Sequence, residues 1–181
     1  MSKQWETRES RYLAKYRIFD LREDVCISPR TGQAHPFYVL ETRDWINIIP
    51  ITPEGQIVMV RQYRFGTGEV TLEIPGGLVD AEDGCVQDAA QRELQEETGY
   101  VSDDIILLGT VRPNPAIQNN TCHIFLARNA TPSGKQALDA CEDIAVELHS
   151  RESVETMIRQ GEIDHCMVLN AFYFLNLYDN R

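Results

Sequence analysis

Apolar and polar positions change period several times along the 181 residues, and the changes mark the elements. Tyr16 to Ser28 carries Ile18, Phe19, Leu21, Val25 and Ile27, Pro29 to Gly32 supplies turn residues, and Phe37 to Leu40 resumes with strand formers, which predicts an N-terminal hairpin or small sheet. Trp45 to Ile51 and Gln56 to Tyr63 are two further apolar runs joined by the turn Thr52 to Gly55, a second hairpin by composition. Val70 to Ile74 reads as a short strand that runs into the breakers Pro75, Gly76 and Gly77 and then an acidic loop, Asp80 to Gly84.

From Val86 to Thr98 strong helix formers predominate, and Gly99 stands where a helix stops. Ile105 to Val111 and Thr121 to Ala127 pattern as strands around an irregular stretch, Arg112 to Asn120, and Asn129 to Asp139 reads as a loop. Ile144 to Leu148 completes the strands, followed by helices over Arg151 to Gln160 and Cys166 to Tyr178. A chain of this length predicts one compact domain with a small accessory element, since domains average about 150 residues.

Charge narrows the partners. Seventeen basic and 28 acidic residues give a net charge of −11, which repels nucleic-acid backbones and anionic membranes and leaves a small anionic substrate possible only beside a bound cation. The cysteines, 5 in number, have no Cys-x-x-Cys spacing, the N-terminus has no apolar core of a signal peptide, and no apolar run nears membrane-spanning length, so the expectation is a reduced, cytoplasmic protein without a membrane partner.

The segment Gly76 to Tyr100 carries the chemistry. At about 100° per residue, Glu93, Glu96 and Glu97 share one helix face within a turn. By itself such a run is a solvated acidic face, with Arg92 pairing with Glu96. The flanking Gly76 and Gly77 alter the balance, because a glycine turn can bring a backbone carbonyl to clustered carboxylates, and an oxygen set without His or Cys suits Mg²⁺ or Mn²⁺.

This segment resembles the Nudix box, matched by Gly77, Arg92, Glu93, Leu94, Glu96, Glu97, Gly99 and Tyr100. The box glutamate of the loop is absent: Asp83, or Glu82, stands in for it with one residue inserted before the helix. The resemblance implies an α/β/α sandwich with a mixed sheet over residues 43–181 and a small antiparallel β element over 1–42 that forms a homodimer. It implies Glu93, Glu96, Glu97 and the Gly77 carbonyl as Mg²⁺ (or Mn²⁺) ligands, with Arg92 holding the glutamates in place.

The motifs Arg61 to Arg64, Leu72 to Gly77, Glu142 to Ile144 and the ending from Gly161 resemble the ADP-ribose pyrophosphatase and nucleotide-sugar hydrolase branch, whose subgroup marker falls on Pro115. That branch implies Glu142 as catalytic base and Arg61, Arg64, Glu73 and Pro115 at a nucleoside diphosphate sugar. Where bacterial ADP-ribose enzymes carry Ser-Pro-Gly and then Glu, this chain has Pro113 to Asn120 without the acid, which points to another sugar or a broader specificity, GDP-mannose among the options. A dinucleoside polyphosphate hydrolase and a non-catalytic nucleotide-binding module remain the alternatives. Trp5, Tyr38 and Trp45 read as packing or base-stacking residues, and His35, His123, His149 and His165, lacking ligand spacing, as structural.

Overall fold

The structure is a computed structural model that describes residues 3–180. Two compact units emerge, one formed by the chain up to Arg43 with Arg112–Thr121, the other by Asp44–Val111 with the chain from Cys122 onward. Within the expected domain of residues 43–181, the stretch Arg112–Thr121 packs with the N-terminal strands, where the Leu40 amide donates to the Ile117 carbonyl.

The first unit is an antiparallel sheet of β1 (Glu6–Lys15), β2 (Asp20–Ile27) and β3 (Ala34–Glu41), with β2 central. The strand β1 escapes the sequence reading for a physical reason. Its register shifts between Thr7 and Glu9 and again between Tyr12 and Ala14 break the period of two, and its pairing is polar, with Arg11 on Glu23 and Tyr12 on Glu41. Trp5 packs edge-on against His35 and Phe37 in the same unit.

The second unit is built on a mixed sheet in the order β7 (Gly76–Leu78), β4 (Trp45–Pro50), β10 (Cys122–Arg128), β9 (Asp104–Val111), with β4 and β10 parallel. Because strands β4 and β10 are covered on both faces, their sequences are continuous apolar runs. Ile46, Ile48, Phe125 and Ala127 point to α1 (Val86–Thr98), whereas Ile49, Ile124 and Leu126 point to the cluster that holds Val154 of α2 (Arg151–Gln160) and Val168, Ala171 and Leu175 of α3 (Cys166–Asp179). Each of the fully buried Val, Leu, Ile and Phe side chains among these contributes roughly 1.5–3 kcal/mol. The expected α/β/α sandwich is therefore the architecture of this unit.

An antiparallel sheet of β12 (Ile144–Ser150), β5 (Gln56–Arg64) and β6 (Glu69–Glu73) adds to it, and β8 (Tyr100–Val101) pairs with β11 (Thr131–Pro132). One expectation is corrected here. The runs at Trp45 and Gln56 do not form a hairpin: β4 pairs with β7 and β10, β5 with β6 and β12, and the two runs share only the bridge Ile51 to Ile57. A tight turn between apolar strands satisfies either arrangement, and the tertiary partners choose. Gly76 and Gly77, read as breakers, lie in the edge strand β7. Among the described residues no helix is long and apolar enough to cross a membrane.

Candidate functional site

The helix α1 buries Ala89, Ala90, Glu93, Leu94, Glu97 and Thr98 and ends at Gly99, whose left-handed φ of 72° lets its amide close on the Gln95 carbonyl. The two alanines and Leu94 press on the sheet, and this packing carries Glu93 and Glu97 inward beside β7. Gly76 donates its amide to Glu97 Oε2 at 3.0 Å. A Cβ on Gly77 would stand 2.2 Å from Glu93 Oε1, so only glycine lets the strand lie this close to the carboxylate.

Arg92 ties the acids together. Its Nε and Nη2 donate to both oxygens of Asp83 at 3.0 and 2.9 Å, its Nη1 to Glu93 and Glu96 at 2.9 and 3.0 Å, and Nη2 also to the Leu78 carbonyl. The Arg92 to Glu96 pair expected for a plain acidic helix is present, but it is one strand of a wider clasp. Of the two loop acids, Asp83 is turned inward, where it also accepts the Asp80 amide, while Glu82 is exposed.

Burial pushes the Glu93 carboxyl up to about 7 against the opposing pull of Arg92, and pushes Glu97, only 3% exposed, up to about 8 against its hydrogen bond from Gly76. The charge of Glu142 adds to both, which places that loop acid within electrostatic reach of the helix; its Oε2 accepts the Asp139 amide. No three His, Cys, Asp or Glu side chains among the described residues already converge as a ligand set. The donors nevertheless fit a hard divalent cation: they are all oxygens, and the two buried carboxylates hold less positive charge than their ionised forms need.

Arg64 lies face to face with Glu73, donating from Nε and Nη2 at 2.7 and 2.6 Å, and Arg61 pairs likewise with Glu147 at 2.6 and 3.2 Å. The Arg61 and His149 contacts hold Glu147 down to about 2. Arg64 and Glu142 line a cavity of about 760 Å³ together with Gln62, Phe65, Asp143 and His165. That volume falls within the usual range for small-molecule sites. Pro115 is exposed in a turn of the N-terminal unit.

The NUDIX domain model matches residues 42–167, which contain the whole clasp. The chain belongs to the Nudix family. It is 26% identical to an ADP-ribose pyrophosphatase of Bacillus subtilis over 93% of this chain and 94% of that protein, and 30% identical to a methanol dehydrogenase activator of Bacillus methanolicus over 90% and 88%. A crystal structure of an ADP compounds hydrolase superposes with a TM-score of 0.86 over 98% of this Nudix chain and 95% of that one at 19% identity, the same fold. The family match and the pyrophosphatase relative support an enzyme that hydrolyses pyrophosphate bonds.

Sequence reasoning missed two cavity residues. The Gln62 Nε2 and His165 Nδ1 atoms are buried without a hydrogen-bond partner. Neither has a local signal, because the residues they face come from other strands and helices.

Proposed function

We propose that this chain hydrolyses the diphosphate of ADP-ribose or a related nucleoside diphosphate sugar, releasing a nucleoside monophosphate and a sugar phosphate. The observation that carries the proposal is the pair of buried carboxylates, Glu93 and Glu97, held against Gly76 and Gly77 by a segment of family pattern. The ADP-ribose pyrophosphatase relative, aligned over almost the whole chain, supplies the substrate class.

Glu93, Glu96, Glu97 and the Gly77 carbonyl would hold Mg²⁺ (or Mn²⁺), whose charge, when bound, would offset that of the diphosphate oxygens and favour ionisation of water. Arg92 keeps the glutamates apart and aligned. Arg64, with two of its donors fixed by Glu73, would turn the remaining edge of its guanidinium to a phosphate oxygen, whereas Arg61, paired with Glu147, is assigned to the substrate on the resemblance alone. Glu142 takes the proton from the attacking water as the phosphorus–oxygen bond of the leaving phosphate breaks. Pro115 is assigned to the substrate on the resemblance alone.

The N-terminal unit supports a homodimer, since Trp5, Tyr12, Leu13, Phe37 and Tyr38 leave large apolar surfaces exposed on its strands and flanking residues. No disulfide joins the cysteines among the described residues, in keeping with a cytoplasmic protein. The strongly negative charge argues against a nucleic-acid partner.

Product release from ADP-ribose, GDP-mannose, other nucleoside diphosphate sugars and diadenosine polyphosphates, each with Mg²⁺, Mn²⁺ or EDTA, tests the proposal. Cation-dependent cleavage of one of the sugars is expected. Cleavage of the diadenosine compounds alone would reassign the substrate, and no cleavage of any would turn the site into a binding module. Gly77→Ala is expected to cost about a hundredfold in kcat/KM with little change in melting temperature, because the new Cβ displaces only the flexible end of Glu93 while misplacing a ligand by about an ångström. Activity close to wild type in that variant would separate Gly77 from the site.

A further inference from the structure

Arg64 and His165 both line the cavity, and Glu73, 1% exposed, is buried beneath them. Three side chains address this one carboxylate. Oε1 accepts Arg64 Nε at 2.7 Å and Thr71 Oγ1 at 2.6 Å; Oε2 accepts Arg64 Nη2 at 2.6 Å and stands 3.8 Å from His165 Nδ1. That nitrogen is buried and makes no hydrogen bond, although the His165 side chain as a whole is 36% exposed. The ring therefore turns its Nδ1 edge inward to Glu73 and its other edge to the cavity. An imidazole nitrogen without a partner is costly to bury, and a proton on Nδ1 faces Oε2 across 3.8 Å, an electrostatic contact rather than a hydrogen bond.

We propose that His165 is a positioning residue for the diphosphate: it steadies the Oε2 side of Glu73 by a charge–dipole contact at 3.8 Å, while Thr71 holds the Oε1 side by a hydrogen bond, and so fixes the direction in which Arg64 presents its guanidinium to the cavity. Arg64 holds both oxygens of Glu73, so carboxylate and guanidinium can pivot together about the last bond of Glu73, and Thr71 and His165 are the groups outside the pair that restrain that pivot. Two donors on Arg64 are committed to Glu73, so the orientation of the remaining edge is decided by that carboxylate alone. The inference rests on the reading of Arg64 as a phosphate ligand, and it takes a histidine that lies far from the box in sequence into the binding machinery.

Inorganic pyrophosphate, titrated calorimetrically into the full chain in the presence of Mg²⁺, reads the effect without turnover. His165→Ala is expected to weaken pyrophosphate binding about fivefold and to raise KM by the same factor while kcat changes less than about twofold, the size of coupling found between neighbours in one polar network. His165→Asn, whose amide can offer a donor near the place of Nδ1, is expected to recover most of the loss. In an Arg64→Ala background His165→Ala should have no further effect. Melting curves accompany each variant, and His165→Ser provides a second truncation if the alanine variant does not fold.

Unchanged binding in the truncations, an asparagine no better than alanine, or losses that add in the double variant would each overturn the proposal, the last by showing that His165 meets the ligand independently of Arg64. Failure of wild type to bind pyrophosphate would overturn it as well. If wild type binds pyrophosphate but cleaves none of the sugar panel, the proposed reaction fails while the coupling of His165 to Arg64 still stands or falls on its own cycle.

Discussion

Replacing Glu97 by Gln is expected to lower kcat by about a thousandfold while making the metal-free protein more stable at pH 8. The first effect follows from removing a charged oxygen from the proposed cation site, where electrostatic stabilisation of the reacting phosphate is the largest contribution to rate. The second follows from burial. Folding raises the Glu97 carboxyl from 4.5 to about 8, so between those values the folded protein holds a proton that the unfolded chain has released. Stability then falls as pH rises through this window, being undiminished below the unfolded value. Glutamine carries no charge to desolvate and its amide oxygen still accepts from Gly76. In EDTA the melting temperatures of variant and wild type should coincide near pH 4 and diverge in favour of the variant towards pH 8. Added Mg²⁺ should raise the wild-type melting temperature, by linkage to binding, more than that of the variant. Near-normal turnover would remove Glu97 from the reaction, and a variant less stable than wild type at pH 8 would show that its charge is already compensated.

Arg92→Ala is expected to be the most damaging change to stability around the site. It deletes both bonds to Asp83, the bonds to Glu93 and Glu96 and the cap on the Leu78 carbonyl. Asp83 is then left as a poorly solvated negative group, and Glu93, losing the pull of Arg92, is driven further towards its protonated form, with side chains 7% and 12% exposed. Breaking one partner of a fully buried pair costs 3–5 kcal/mol or so; with Arg92 itself 27% exposed, about 2 kcal/mol is the appropriate figure, or roughly 4–8 °C in melting temperature for a protein of this size. Arg92→Lys should recover only a minor part, because an ammonium cannot meet both oxygens of Asp83 and the two glutamates at once. Differential scanning calorimetry decides the point. A loss below about 1 °C in the alanine variant would mean that the clasp is an ordinary surface network.

The residues differ in how far each was legible. Glu93, Glu96, Glu97 and Arg92 were readable because a helix converts spacing into a shared face, and the structure gathers Glu93 and Glu96 on Arg92 and sets Glu97 against the Gly76 amide. Glu73 could be named but not its role, since its link to Arg64 depends on the pairing of β5 with β6. Arg61 read as a second phosphate group, whereas the strand β12 brings Glu147 against it. His165 gave no signal at all. Its only distinguishing property, a buried nitrogen without a partner, exists only once α3 is docked beside β6.

Local interactions were thus settled by the amino-acid sequence itself: the three helices, their glycine stops at Gly99 and Gly161, the twice-covered strands at Trp45 and Cys122, and the acidic face of α1. These depend on backbone propensity and on side-chain periods of two and 3.6, both of which are written within a few consecutive residues. Tertiary structure decided which strands pair, that Arg112–Thr121 joins the N-terminal sheet, and which acid each arginine meets. Those choices are made between segments far apart in the chain, where many pairings satisfy the same local pattern and only simultaneous burial of all the apolar faces selects one.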